Sequence, residues 1–231
     1  MKSSGGNHEN HPSRLGGYGR DLARPIGERY HIVANTDPVV AGVLSLTSPT
    51  FLRAAQLISP SAATAITSVD LFLAKNNTIG SRQAVLELHG DNSGAPGALV
   101  AALGTQSVAN IFGASFTFTP AGPVSMAAAT PYWLVLICAD CVEGNSTTVA
   151  RDLKWTASAG NTLAGLPGAS LPLGVSTSVD GGSTWSLGLT GLGLQLAVNG
   201  NVASAPEPAT LSLLGFGLLG GLALRAKSGR V

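Results

Sequence analysis

The sequence predicts an all-β protein: a β-sandwich, jelly-roll-like, followed by a single short C-terminal transmembrane helix. Three observations predict it. Thirty glycines and thirteen prolines stand among many Ser, Thr, Ala and Val residues, while Lys and Glu, the usual residues of helix surfaces, are scarce. Apolar residues alternate with polar ones in short segments, the period of two that a half-buried strand requires. Such segments recur about every ten to fifteen residues with turn residues between them, the rhythm of a sandwich. A length of 231 residues leaves room for one domain plus tails.

Residues 1–29 are polar and Gly-rich, carry His8, His11, Arg14, Arg20, Arg24 and Arg29, and are expected to form a disordered extension. The sandwich is expected over residues 30–200. Within it Val69, Leu71 and Leu73 share one face, and Ser68 and Asp70 take the other. Leu86 and Leu88 point inward, leaving Glu87 and His89 outward. Phe116 and Phe118 alternate with Thr117 and Thr119 before Pro120. Tyr132-Trp133-Leu134-Val135-Leu136-Ile137 is a continuous apolar run, as expected of a central strand covered on both faces. Leu192, Leu194, Leu196 and Val198 alternate with Gly193, Gln195 and Ala197. Between strands, Asp91-Asn92-Ser93-Gly94-Ala95-Pro96-Gly97 joins side chains that cap their own backbone to residues that accept positive φ. Residues 165–174 read as a long loop, and 201–205 as a linker of small residues. No repeat of solenoid or propeller period is present.

Ser178-Val179-Asp180-Gly181-Gly182-Ser183-Thr184-Trp185 fits the Asp-box pattern S-x-D-x-G-x-T-W. Ser178, Asp180, Gly182, Thr184 and Trp185 are therefore expected to build a structural hairpin, with Asp180 accepting from turn N–H groups and Trp185 packing beneath. Sialidases repeat this element once per propeller blade, where it is structural, and one copy in a chain this short does not make a propeller. Cys138 and Cys141 close a strand and are expected to form a disulfide, with free thiols or metal and redox chemistry as alternatives.

No cofactor or metal site is expected. A charged fraction of 11% with net charge +1 leaves no electrostatic footprint for nucleic acid. There is no G-x-S-x-G elbow or P-loop, and the only G-x-G-x-x-G match, Gly215 to Gly220, falls in the apolar tail. Most carboxylates fall in turns; Glu87, His89 and Asp91 cluster on one strand and its turn, where a solvated face is expected. Asp91 and Asn92 carry a weaker calcium reading. The expectation is a protein that is not an enzyme, with a glycoside hydrolase as a remote alternative. A carbohydrate-binding module is the stronger rival. Its candidate is Trp155, the only Trp with polar neighbours, since Trp133 lies in an apolar run and Trp185 in the Asp-box.

The tail has three parts. Pro206-Glu207-Pro208 is rigid and acidic and bars a helix from running back into the domain. Residues 209–224 carry no charge and include Ala209, Leu213, Leu214, Phe216, Leu218, Leu219, Leu222 and Leu224. A helix of that length spans ~24 Å at ~1.5 Å per residue, slightly short of the ~30 Å hydrocarbon core. Arg225, Lys227 and Arg230 then fall in the cytoplasmic headgroup zone.

These parts in this order resemble the PEP-CTERM tail, also catalogued as the ice-binding-protein C-terminal domain. No regular Thr array accompanies it, so ice binding is not expected. The resemblance implies an exported bacterial surface protein processed by an exosortase-type enzyme, a precursor held in the inner membrane, and a possible exopolysaccharide partner. It also implies a mature chain that ends near Pro206-Glu207-Pro208. Export in that family begins at a signal peptide. Residues 1–29 hold no apolar h-region, and 39–44 lack a basic flank; a start codon placed too far downstream is the leading expectation. Residues 30–200 resemble the choice-of-anchor R module, through Thr67-Ser68-Val69-Asp70-Leu71-Phe72-Leu73, the 91–97 loop, Phe116-Thr117-Phe118-Thr119-Pro120, Tyr132-Trp133-Leu134-Val135-Leu136 and Ser183-Thr184-Trp185. That resemblance implies a β-rich surface module with a structural or adhesive role.

Overall fold

Alternating apolar residues close into two antiparallel sheets whose inner faces share one core. The structure, a computed structural model, describes residues 30–35, 40–46, 53–75, 80–141, 153–158 and 163–203. Among the described residues there are fifteen strands and no helix. In chain order they are β1 (Tyr30–Asn35), β2 (Val40–Leu46), β3 (Arg53–Ile58), β4 (Thr64–Lys75), β5 (Arg82–Asn92), β6 (Ala95–Val108), β7 (Ala114–Phe118) and β8 (Val124–Met126). The chain continues through β9 (Tyr132–Cys138), β10 (Leu153–Ser158), β11 (Leu163–Gly165), β12 (Val175–Ser178), β13 (Ser186–Leu189), β14 (Gly193–Leu194) and β15 (Leu196–Val202).

The first sheet runs β11-β1-β15-β4, with β7 and β8 sharing the far edge of β4. β10 pairs with the last residues of β4 and carries β2 on its other side. The second sheet runs β13-β12-β3-β9-β5-β6. The alternation read from the sequence sets the register: Val69 lies between Val198 and Phe118, and Leu71 between Leu196 and Phe116. Val69, Leu71, Leu73, Leu196 and Val198 of the first sheet then meet Leu86, Leu88, Leu134 and Leu136 of the second in one buried cluster. Strand β9 is central and covered on both faces, as its apolar run predicts. Its outward residues Trp133 and Val135 form a second, small cluster with Ala55.

Two boundaries differ from the sequence reading. Strand β15 continues through Asn201 and Val202, opposite Ala65 and Thr64, and so takes two residues from the expected linker. The stretch read as one loop over 165–174 also includes the end of β11 and a bridge from Ser170 to Ser59. Residues 1–29 and the tail from 204 lie outside the described residues.

The pairing defines two poles. At one, Val202 faces Thr64 and Tyr30 faces Gly200, so the chain leaves for its tail from this end. At the other, Leu73 faces Ala114, the Lys75 N–H donates to the Asn110 carbonyl (2.9 Å), and Arg82 faces Val108. The end of β9, where Cys138 faces Ala84, and the start of β3, where Arg53 faces Ile137, share that second pole.

Candidate functional site

The Asp-box residues come together as the sequence predicts, in the turn joining β12 to β13. Asp180 accepts from the Thr184 N–H (2.9 Å), the Thr184 hydroxyl (2.6 Å) and the Ser178 hydroxyl (2.8 Å). The Ser178 oxygen in turn accepts from the Gly182 N–H (2.8 Å). The hydroxyl of Thr184 first, then its backbone N–H and Ser178, hold the Asp180 carboxyl well below the usual carboxylate range. Gly182 is required by its backbone, whose φ of +94° an L side chain rarely adopts. Trp185 folds back onto Ala55, Trp133 and Val135, and its indole Nε1 is buried without an acceptor. Every polar group of Asp180 serves the turn. The arrangement closes the hairpin.

Glu87, His89 and Asp91 do share one face, and the structure adds Trp133 to them. The ring nitrogens of His89 lie 2.8 Å from the Gly97 carbonyl and 2.8 Å from the Glu87 carboxylate. Asp91 accepts from the Trp133 indole N–H (2.8 Å) and from the Gly94 N–H at its own turn (3.2 Å). Both Asp91 oxygens take part in these contacts, Oδ1 with the Trp133 indole and both with the Gly94 N–H. The cluster ties β5, the turn and β9 together.

A second polar group escaped the sequence reading. Across the outer face of the first sheet, His31 of β1 meets the Asn199 side chain of β15 (2.8 Å). The Asn199 amide donates to Asp70 (2.7 Å) and Ser68 (3.3 Å) of β4, and the Thr117 hydroxyl of β7 donates to Asp70. Only the predicted outward position of Ser68 and Asp70 pointed to it. The partners are up to 168 residues apart in the chain, so no local pattern links them.

Trp155 is a correction. Its side chain is 0% exposed and its Nε1 donates to the Gln195 carbonyl (3.0 Å), so it cannot stack on a sugar. The polar neighbours Asp152 and Lys154 suggested an exposed site, but the Trp155 side chain belongs to the core cluster shared by the two sheets. Cys138 and Cys141 form the expected disulfide, with Cα atoms 5.4 Å apart. Asp140 sits within reach of both sulfurs. The sulfurs are bonded to each other and are not thiolate ligands, while Asp140 accepts from the Gln83 N–H (2.8 Å).

The class defined by these features is a two-sheet antiparallel β domain joined to a C-terminal address. Residues 204–228 match the PEP-CTERM protein-sorting motif. That span holds Pro206, Glu207, Pro208, the apolar residues from Ala209 to Leu224, Arg225 and Lys227; Arg230 lies just past it. These residues lie outside the described part of the structure. The motif implies export through exosortase sorting. The match gives no family for the β domain, and the choice-of-anchor R and ice-binding resemblances gain no support from it. No curated protein matches the chain. Among the described residues no helix is long and apolar enough to cross a membrane.

Proposed function

We propose that this is a surface-directed, non-enzymatic structural or adhesive protein of the cell envelope or its polysaccharide matrix. The single observation that carries the reading is the sorting motif at residues 204–228. In the precursor, residues 209–224 hold the chain in the inner membrane with Arg225, Lys227 and Arg230 on the cytoplasmic side, and an exosortase-type enzyme removes them at the cell surface. The β domain supports the reading by its chemistry. The polar clusters built on Asp180, on Glu87–His89–Asp91 and on Asn199 link turns and strands of the fold. We read the strand order β1-β15-β4-β7/β8 over β3-β9-β5-β6 as a jelly roll. Replacing Pro206, Glu207 and Pro208 by alanine is expected to leave the unprocessed chain in the membrane fraction. Unchanged processing and surface yield in that variant would refute the sorting reading.

A second reading, recognition of exopolysaccharide, loses its aromatic platform, because Trp133 and Trp155 are buried and Trp185 is half-buried. What favours it is a different feature, the exposed Phe112 at the pole away from the tail.

A further inference from the structure

We propose that the outer face of the first sheet binds a neutral polysaccharide. One pyranose ring lies on Phe72, and its hydroxyls meet Asp70 and Thr117. The proposal rests on the adhesive reading above and deepens it, by naming what the domain adheres to.

Strand parity sets the face. Leu71 and Leu73 of β4 enter the core, so Asp70 and Phe72 stand on the opposite side, about 7 Å apart along the strand. Thr117 of β7 lies opposite Asp70, and Ser115 opposite Phe72. Thr117 and Ser115 are exposed, and Asp70 and Phe72 are half-buried, so four neighbouring side chains reach solvent together.

Asp70 is fixed from two sides. Its Oδ1 accepts from the Thr117 hydroxyl and its Oδ2 from the Asn199 amide (2.7 Å), which is itself held by Ser68 and His31. A carboxylate has about four acceptor positions, so two are left for sugar hydroxyls. Thr117 gives its proton to Asp70, which leaves its own oxygen to accept. The two side chains therefore present acceptors to adjacent hydroxyls of one ring.

The Phe72 ring is placed just as firmly. It lies so close to Gly113, the residue before β7, that a Cβ there would come within 2.2 Å of it. Phe112, 80% exposed, is the next residue along the chain. A pyranose rests its apolar C–H face on such a ring while its edge hydroxyls reach a polar neighbour. Groups already ordered lose little conformational freedom on binding. The charge selects the ligand: an anionic chain meets Asp70 with like charge, whereas the hydroxyls of a neutral one donate to it.

The test uses the full-length chain in detergent with three neutral polysaccharides, dextran, mannan and galactan, and with polyglutamate as the anionic control. At least one neutral chain is expected to bind, with little dependence on salt, and polyglutamate is not. Asp70→Asn, which keeps the shape, is expected to weaken that binding about tenfold or more, the loss of hydrogen bonds to a charged group. Ser115→Arg is expected to abolish it, because a guanidinium stacked on the Phe72 ring opposite takes the place of the sugar. Ser115 is exposed, so this variant carries the test independently of folding. Binding to none of the three, or equal capture of polyglutamate, would overturn the proposal. A neutral chain bound equally by Ser115→Arg would overturn this site and leave the adhesive reading standing. Loss of surface delivery with polysaccharide binding intact counts against the sorting reading instead.

Discussion

Replacing Trp155 by alanine separates the two roles this residue was a candidate for. A sugar-stacking Trp leaves stability alone when removed, whereas a core Trp does not. Trp155 has no exposure, lies opposite Leu44 of β2 and Leu73 of β4, and donates to the Gln195 carbonyl. Buried Trp-to-Ala changes cost about 3–5 kcal/mol through lost transfer and the cavity left behind. The lost hydrogen bond accounts for about 1 kcal/mol of that scale. A total near 4 kcal/mol corresponds to a fall in Tm of roughly 10 °C for a domain of this size. Urea denaturation followed by tryptophan fluorescence and circular dichroism measures it, with an unchanged m-value showing that the same surface unfolds. Trp155→Phe, which keeps the ring and loses the N–H, is expected to cost less than half as much. A Trp155→Ala protein within 1 kcal/mol of the wild type would refute the buried placement.

The remaining predictions follow from single features. Asp180 is held in its ionised form in the folded state, so its contribution is present above the ordinary carboxylate pKa and is lost as pH falls through the lower folded value. Wild type and Asp180→Asn should therefore differ by a constant amount from neutral pH to about pH 4 and converge below it, in denaturation curves taken across that range. Reducing the Cys138–Cys141 bridge, or Cys138→Ser with Cys141→Ser, should cost only about 2 kcal/mol, because the loop it closes is so short; thermal melts with and without reductant read this. Asn199→Ala should cost about 1–3 kcal/mol by leaving Asp70 without its amide donor on a buried side, and Asn199→Asp should cost more by facing it with a like charge. Both are read by urea denaturation.

The strands that read most plainly in the sequence are those with one face in the core and one in water. Val69, Leu71 and Leu73 of β4 and Leu86 and Leu88 of β5 alternate for that reason. The Asp-box was legible because its hydrogen bonds close within four residues, between Asp180 and Thr184. Trp155 misled because a strand buried on both faces loses its alternation, and Lys154 beside it reads as solvent. The Asn199 network was legible only in the outward position of Ser68 and Asp70. Its members come from strands brought together by the sheet order, and sequence spacing holds no record of that order. The tail, by contrast, is a contiguous pattern that a reader can find.

The most direct test is the intact mass of the protein recovered from the cell surface. The sorting account predicts a surface form that ends near Pro206-Glu207-Pro208 and lacks the apolar residues 209–224. A surface form that still carries Leu224 and Arg225, or a protein that never leaves the cytoplasm, would contradict it.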